Sequence, residues 1–361
     1  MQSEAVEGAR NLLLNCAKVC PGDRLLILHE DAALGWYDVD APMLVERVAR
    51  ELGVEVTLRE VGGPNNDYLG EGGSGEGTLI DADCDCCIFF ARIGDQLRFD
   101  PAVAGRTRVM CYVTSLESFA SDYGRVEYQA MASLKATIDG LLVGASDITI
   151  SCPLGTDLRG TMQDHPAEAP EDVTVLRFPL GVHAPINACT FSGEVQLARY
   201  LTPTGSRVYE PPCIEINQPV KAEVADGRIV QYVGNSTDID RIERHYEGVA
   251  RQFSLDPNAV LSWHAGIHPG CRFNGQASDD PDRWSNTVFT NPRFVHFHTC
   301  GSSAPGEICW MVLDPTICVD GAPLWERGVL RLDQFPATDA CLQRWPQLRK
   351  LQALGNGEVG L

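Results

Sequence analysis

The first 150 residues alternate short apolar runs with segments of helical periodicity, and this alternation constrains the fold more than any other feature. The apolar runs are predicted strands at 24–28, 54–58, 86–90, 109–113 and 148–152. The clearest helical segment covers 40–52, where Pro42 lies in the first turn and Gly53 follows the last. Short strands separated by helices are typical of βαβ units, so the sequence predicts a helix-flanked, largely parallel sheet.

Beyond about residue 155 the pattern favours antiparallel pairs. Residues 220–224 and 229–233 flank Asp226-Gly227, which tolerates the positive φ of a tight turn, so this segment is a predicted hairpin. Other predicted strands are 173–178, 207–210, 260–264, 294–298, 308–313 and 316–319, and predicted helices are 236–253 and 339–354. We therefore predict an α/β domain over 1–155 and an α+β domain over 156–361.

The chain is strongly acidic, with 49 Asp and Glu against 29 Lys and Arg and a formal net charge of −20. This balance repels phosphate backbones and anionic lipid, so we expect no nucleic-acid partner and no membrane surface. No window approaches 18 uncharged apolar residues, so no transmembrane helix is predicted. The first residues are acidic where a signal peptide is basic, so we expect a cytoplasmic protein whose 14 cysteines are reduced.

The eight histidines are unevenly placed, because four of them fall within 35 residues: His264, His268, His296 and His298. His296 and His298 flank Phe297 in a predicted strand, so both should project from one face. Two imidazoles on one face and a third at a strand end could ligate zinc or iron. The same residues are also consistent with a polar strand face, or with histidines that form hydrogen bonds in a cleft.

Two glutamates border apolar stretches, Glu194 in FSGEV and Glu307 in PGEICW. A carboxylate in a poorly solvated cleft has a raised pKa and can serve as a general base or a metal ligand. Each glutamate alone is equally consistent with a solvated loop carboxylate. Ser-His-Asp catalysis has no support, because the sequence contains no GxSxG motif.

Taken in order, these segments resemble the aminopeptidase T family of metallopeptidases, which is similar in fold to the iron-dependent 2,5-dihydroxypyridine dioxygenases. The similar stretches are CPGDRLLILHED, ARELGVEVTL, LIDADCDCCIFF, SCPLGTDLRG, FSGEV, VKAEVADGRIV and AGIHPG. The resemblance implies an N-terminal Rossmann-like parallel sheet, a C-terminal aminopeptidase-like lobe that carries the site, and a homodimer. An apolar stripe could either form the dimer surface or pack on its own lobe; it consists of Leu342, Trp345, Leu348, Leu351 and Leu354.

The site departs from the family pattern. Glu194 matches the family's Gly-Glu pair, and His264 holds the place of a ligand ahead of a Gly-Ile turn. His296 or His298 could serve as the next ligand, although neither falls cleanly in register. The family then uses a His-x-Asp pair, where this chain has Glu307-Ile308-Cys309, so an imidazole and a carboxylate are lost.

This loss favours a non-catalytic relative that binds a peptide and holds no cofactor. The sequence is similar in this respect to the peptide-binding proteins of the crocagin pathway, where a binder presents a ribosomal precursor peptide to modifying enzymes. The predicted binding residues are Glu194, His264, His268, His296, His298 and Glu307. The alternative is a metal-dependent enzyme, either an aminopeptidase-like hydrolase or a ring-cleaving dioxygenase, with zinc or iron bound.

Overall fold

The computed structural model describes residues 2–64, 83–162, 174–205, 207–301, 306–353 and 357–361. The loop predicted at 70–77 lies outside the described residues. Contacts within the chain divide it into two compact units, Met1–Ala132 with Glu171–Leu180 and Ser133–Pro170 with Gly181–Leu361. Each unit is built on a sheet of its own.

The strands and helices are numbered in chain order. The strands are β1 (Arg24–Glu30), β2 (Glu55–Val61), β3 (Cys86–Phe90), β4 (Thr107–Cys111), β5 (Ile148–Ser151), β6 (Asp157–Gly160), β7 (Leu176–Phe178), β8 (Ile186–Asn187), β9 (Ser192–Pro203), β10 (Ile214–Ala225), β11 (Arg228–Val233), β12 (Val260–Ala265), β13 (Phe294–Thr299), β14 (Ile308–Leu313), β15 (Thr316–Val319), β16 (Ala322–Glu326) and β17 (Val329–Leu330). The helices are α1 (Gln2–Arg10), α2 (Asp40–Glu51), α3 (Ile93–Gln96), α4 (Leu116–Ala120), α5 (Asp122–Arg125), α6 (Tyr128–Val143), α7 (Ser236–Phe253), α8 (Pro281–Val288), α9 (Pro336–Arg344) and α10 (Gln347–Gln352).

The first unit contains the predicted parallel sheet, with strands in the order β2-β1-β3-β4-β7. Every pair in this sheet is parallel. All five residues of β3 are buried, as parallel strands are when both faces of the sheet are covered. The continuous apolar runs of the sequence are therefore explained by burial on both faces.

Two predicted strands belong to a different sheet from the one that the sequence predicts. β5, expected to continue the parallel series, pairs antiparallel with β6 and β15 in the second sheet. Its residues alternate between apolar and polar, which is typical of a strand with one solvated face. β7, expected in the second domain, pairs parallel with β4. The boundary predicted near residue 155 falls between β5 and β6, which are neighbours in one sheet.

Glu30 and Arg92 form a buried ion pair at the carboxyl ends of β1 and β3. Arg92 Nη2 lies 3.0 Å from Glu30 Oε2, and the guanidinium lies 4.3 Å from the centre of the Trp36 ring. Burial raises the pKa of Glu30, and the charge of Arg92 opposes that rise. The main-chain N–H of Arg92 also donates to Glu30, so the pair fastens the chain after β3 to the end of β1.

The second unit contains a curled antiparallel sheet in the order β17-β16-β15-β5-β6-β9-β14-β13-β12-β8, and β10 and β11 branch from β9. The predicted hairpin is confirmed as β10 and β11. Its turn has φ angles of 48° at Asp226 and 69° at Gly227, both in the left-handed region that a two-residue hairpin favours. Helix α7 follows with the predicted bounds, whereas residues 207–210 do not form the predicted strand.

The C-terminal helix predicted over 339–354 is two helices, α9 and α10, with Pro346 between them. Leu342, Leu348 and Leu351 are 2%, 1% and 3% exposed, so this part of the stripe packs within the chain and offers no dimer surface. Leu354 lies outside the described residues, and the homodimer itself stays a prediction.

No disulfide joins the fourteen cysteines, all of which are among the described residues, as expected of reduced thiols. Within the described part of the chain, no helix has both the length and the apolar character needed to cross a membrane.

The junction between α7 and β10 generates a stability prediction. Asp238 is 2% exposed and accepts hydrogen bonds from the main-chain N–H groups of Asn217 and Gln218. Asp238→Ala should lower the free energy of unfolding by about 1.5–3 kcal/mol, because two partly buried main-chain N–H groups lose a charged acceptor. Urea denaturation measures this, and Asp240→Ala, at an exposed position of the same helix, is the matched control. Equal effects of the two substitutions would contradict the prediction.

Candidate functional site

Three neighbouring strands of the second sheet bring the late histidines together. β12 pairs with β13 so that His264 is opposite His296, and β13 pairs with β14 so that His298 is opposite Cys309. Opposite residues in antiparallel strands project from one face, as do residues two apart along a strand. His264, His296, His298 and Cys309 therefore share one face of the sheet.

The other face of the same strands is a packed aromatic layer. Trp263, Phe297 and Trp310 are at most 1% exposed, and the rings of Phe297 and Trp310 lie 5.7 Å apart. A shift of one residue in strand pairing would turn these large side chains to the histidine face. The aromatic layer therefore fixes the strand register that brings the histidines together.

The three imidazoles converge closely enough to share one ion. One ring nitrogen from each of His264, His296 and His298 lies within 4.8 Å of the others. His296 Nδ1 and His264 Nε2 are 3.2 Å apart. His264 and His296 are 3% and 7% exposed, and the His298 side chain is 12% exposed. Among the described residues, these three histidines are the group of at least three His, Cys, Asp or Glu side chains that lies close enough together to hold one metal ion.

Glu307 orients His298. Its Oε1 lies 2.8 Å from His298 Nδ1, and its residue is 1% exposed. A carboxylate accepts hydrogen bonds, so His298 donates to Glu307 through its Nδ1–H group. Tyr209 supports the same strand end, because its hydroxyl donates to the main-chain oxygen of Glu307 at 2.7 Å. Glu307 thus lies behind His298 rather than inside the cluster.

An aromatic ring encloses the cluster from the side of α8. Phe289 follows the last residue of that helix, and its ring lies 6.0 Å from His264 and 5.9 Å from His296. Phe289 is itself 8% exposed. The imidazoles are therefore packed against an apolar ring on this side, and a low-dielectric neighbour strengthens electrostatic interactions.

His183 also belongs to this environment and was not among the predicted residues. Its Nε2 accepts a hydrogen bond from the main-chain N–H of Ala265 at 2.8 Å, and its ring lies 6.4 Å from that of His264. Burial lowers the pKa of His183 to about 4. His183 is 81 positions before His264, so nothing in its local sequence indicates this contact.

Glu194 is not a member of the histidine cluster. It lies in β9 opposite Glu223 and Asp157, eight positions before Thr202, the β9 residue that pairs with Cys309. Its side chain is 43% exposed and forms an ion pair with Lys221, with Glu194 Oε2 at 3.0 Å from Lys221 Nζ. The Gly-Glu motif therefore gives a partly exposed carboxylate away from the imidazoles.

His268 is fully buried in the turn that follows β12, and it also lies outside the cluster. Its Nδ1 accepts a hydrogen bond from the main-chain N–H of Gly270 at 3.2 Å. Burial lowers the pKa of His268 to about 3, so the imidazole is neutral at physiological pH.

The cluster fits the metal ion that the family resemblance implies. Zinc bonds imidazole nitrogen at about 2.0–2.1 Å in a tetrahedral arrangement, which places two ligating nitrogens about 3.3 Å apart. The distance between His264 Nε2 and His296 Nδ1 is 3.2 Å. The third donor, His298, has its other nitrogen occupied by Glu307. The donor set is three imidazoles with no carboxylate.

Comparisons with known proteins show the fold. No protein-family model matches the sequence, and no curated protein matches it. The structure is similar to 2,5-dihydroxypyridine dioxygenase from Pseudomonas putida KT2440, with a TM-score of 0.59 and 13% identity over 91% of this chain and 97% of that one. The structure of AmpT from Thermus thermophilus matches with a TM-score of 0.49 and 11% identity over 91% of this chain and 99% of that one. The dioxygenase likeness confirms the predicted fold class.

Removal of the Glu307 carboxylate tests its role behind His298. For a zinc ion added to the cluster, Glu307→Ala should weaken binding about 10–100-fold, because His298 loses the partner that orients its ring. Glu307→Gln, which keeps an acceptor for His298 Nδ1, should cost less. Competition with a chromogenic chelator measures the affinity. Glu210→Ala, at a carboxylate that is 73% exposed, is the control and should have no effect. Unchanged zinc affinity in Glu307→Ala would refute the assignment.

Proposed function

We propose that the second unit is a metal-dependent enzyme in which His264, His296 and His298 hold one zinc ion, and that its substrate is a peptide. The observation that carries the proposal is the convergence of three imidazole nitrogens within 4.8 Å. Neutral imidazoles are common zinc ligands, and three of them leave a fourth position open, as catalytic zinc sites require.

The donor set favours zinc hydrolysis over iron-dependent ring cleavage. Non-haem iron oxygenases typically use two histidines and one carboxylate, whereas this cluster contains three histidines and no carboxylate. A zinc ion in such a site lowers the pKa of a bound water and polarises a carbonyl oxygen. Two of the chain's own residues surround the cluster: Glu307 orients His298 through its Nδ1 atom, and the Phe289 ring packs 6.0 Å from His264.

A second candidate is supported by a sheet edge. β11 pairs only with β10 among the described strands, and its Val230 and Val233 are 64% and 44% exposed. An exposed apolar edge can accept an extended peptide as an additional strand. Gln231 of β11 is opposite Glu223 of β10, so one carboxylate lies one strand from this edge, while Glu194 lies in β9 one strand further and pairs with Lys221. A peptide with a basic end would suit that charge.

Under this second candidate the chain is a non-catalytic peptide-binding protein that presents a ribosomal precursor peptide to modifying enzymes. The cluster supports it in one respect. Glu307, the carboxylate next to the imidazoles, is already engaged with His298, so no carboxylate of the cluster is placed as a general base. Under this candidate, either Glu194 or Glu307 would contact the amine of the peptide.

Metal content separates the two candidates. Wild-type protein dialysed against zinc should retain about one equivalent, and His264→Ala should lose most of it, since zinc needs at least three protein ligands. His29→Ala, a half-buried histidine of the first unit, is the matched control and should keep its zinc. Elemental analysis measures the metal, and mass spectrometry of a basic peptide incubated with the zinc form shows cleavage. Protein that retains no zinc, or zinc protein that leaves every tested peptide intact, would contradict the enzyme proposal.

The edge strand has its own test. Val230→Lys should weaken binding of a basic, extended peptide about tenfold or more, because a charge on the edge opposes strand addition and repels a basic ligand. Isothermal titration with catalytically inactive His264→Ala protein measures the affinity. Val143→Lys adds the same charge at a residue of equal exposure, 65%, in α6 and should leave binding unchanged. Equal affinities in both variants would exclude β11 as the binding edge.

A further inference from the structure

On the β8 side of β12, the strand end directly after His264 is held by two side chains and by the backbone bridge between Val182 and Gly266. β8 pairs with β12 only at Ser262 and Trp263. Beyond that point the main-chain N–H of Ala265 donates to His183 Nε2 at 2.8 Å. The main-chain oxygen of the next residue, Gly266, accepts from the indole N–H of Trp325 at 2.9 Å. An imidazole thus takes the place of a strand carbonyl in the ladder.

The hydrogen bonds of His183 define its tautomer. Because Nε2 accepts from an amide, it carries no proton, and the proton is on Nδ1. Nδ1 lies 2.6 Å from the main-chain oxygen of Ala184 and donates to it. Both ring nitrogens are therefore engaged, so His183 is not available as a metal ligand.

The ring of His183 is held rigidly. It is 1% exposed, packs edge-on against Trp263 at 5.3 Å and lies tilted against Trp325 at 5.7 Å. The neighbouring bridge between Val182 and Gly266 fixes the backbone on which His183 stands. Because the ring cannot move, its hydrogen bond also fixes the position of the Ala265 amide.

We propose that His183 is a positioning residue that holds the Ala265 peptide and thereby keeps His264 Nε2 opposite His296 Nδ1. The inference rests on the proposed metal site. Productive metal geometry tolerates displacements of only about 0.5 Å, and the Ala265 amide is one residue from the ligand. The resemblance to known families assigned no role to this histidine, and its contact is with the backbone rather than with the cluster.

The variant His183→Leu tests the proposal. It removes the acceptor of the Ala265 N–H while keeping an apolar side chain in the cavity. His183→Gln places an amide oxygen near the position of Nε2 and should restore the hydrogen bond. We expect zinc affinity, measured by chelator competition, to fall about tenfold in His183→Leu and to recover in His183→Gln.

Thr338→Val is the control for a merely structural effect. Thr338 is fully buried in α9, and its hydroxyl donates to the main-chain oxygens of Leu332 and Phe335. This substitution should lower the thermal midpoint without changing zinc affinity. If His183→Leu also lowers only the thermal midpoint, or if His183→Gln fails to restore affinity, the positioning role is refuted.

A metal-free measurement separates this inference from the proposed function. The ¹⁵N chemical shifts of the His264 and His296 ring nitrogens should change in His183→Leu and return in His183→Gln, whether or not zinc binds. If the wild-type protein binds no zinc but the two variants show these shift changes, the metal site is refuted and the positioning role is upheld. Unchanged ring shifts in His183→Leu would refute the positioning role.

Discussion

The strand register of β12, β13 and β14 is the constraint on which the candidate site depends. Trp263, Phe297 and Trp310 fill one face of these strands, and burial of each large side chain contributes about 1.5–3 kcal/mol. Register is strongly specified wherever one face of a sheet is buried in this way. The three histidines need no attraction of their own to meet, because the aromatic residues between them determine their positions.

The polar groups around the cluster are fixed by hydrogen bonds in the same buried region. Polar atoms near the imidazoles are engaged with partners that restrict them: Glu307 with His298, Tyr209 with the Glu307 backbone, and His183 with the Ala265 amide. In a low-dielectric interior such hydrogen bonds are stronger and also stiffer than in water. The result is a site of fixed shape in which each imidazole has a defined tautomer or a defined neighbour.

Much of the fold could be predicted from local pattern, and the two misplaced strands have one physical cause. The runs at 24–28 and 86–90 are buried on both faces and predicted the parallel sheet correctly. The run at 148–152 and the segment of β7 were placed in the wrong sheet, because a short strand does not encode its partner.

The site shows the same division between local and long-range information. The shared face of His296 and His298 follows from alternation along one strand, whereas the meeting of His264 with His296 depends on pairing between segments 32 residues apart. Glu194 matched a family motif but lies beside Lys221, and His183 carried no local signal at all.

The strand order β2-β1-β3-β4-β7 has a further consequence. In open sheets of this order, ligands enter the crevice where the winding reverses, between the carboxyl ends of β1 and β3. Here Glu30, Arg92 and Trp36 lie together after those strands, as an ion pair with an indole ring packed 4.3 Å from the guanidinium. A ligand at the customary position of a doubly wound sheet would therefore meet a buried ion pair of the protein itself.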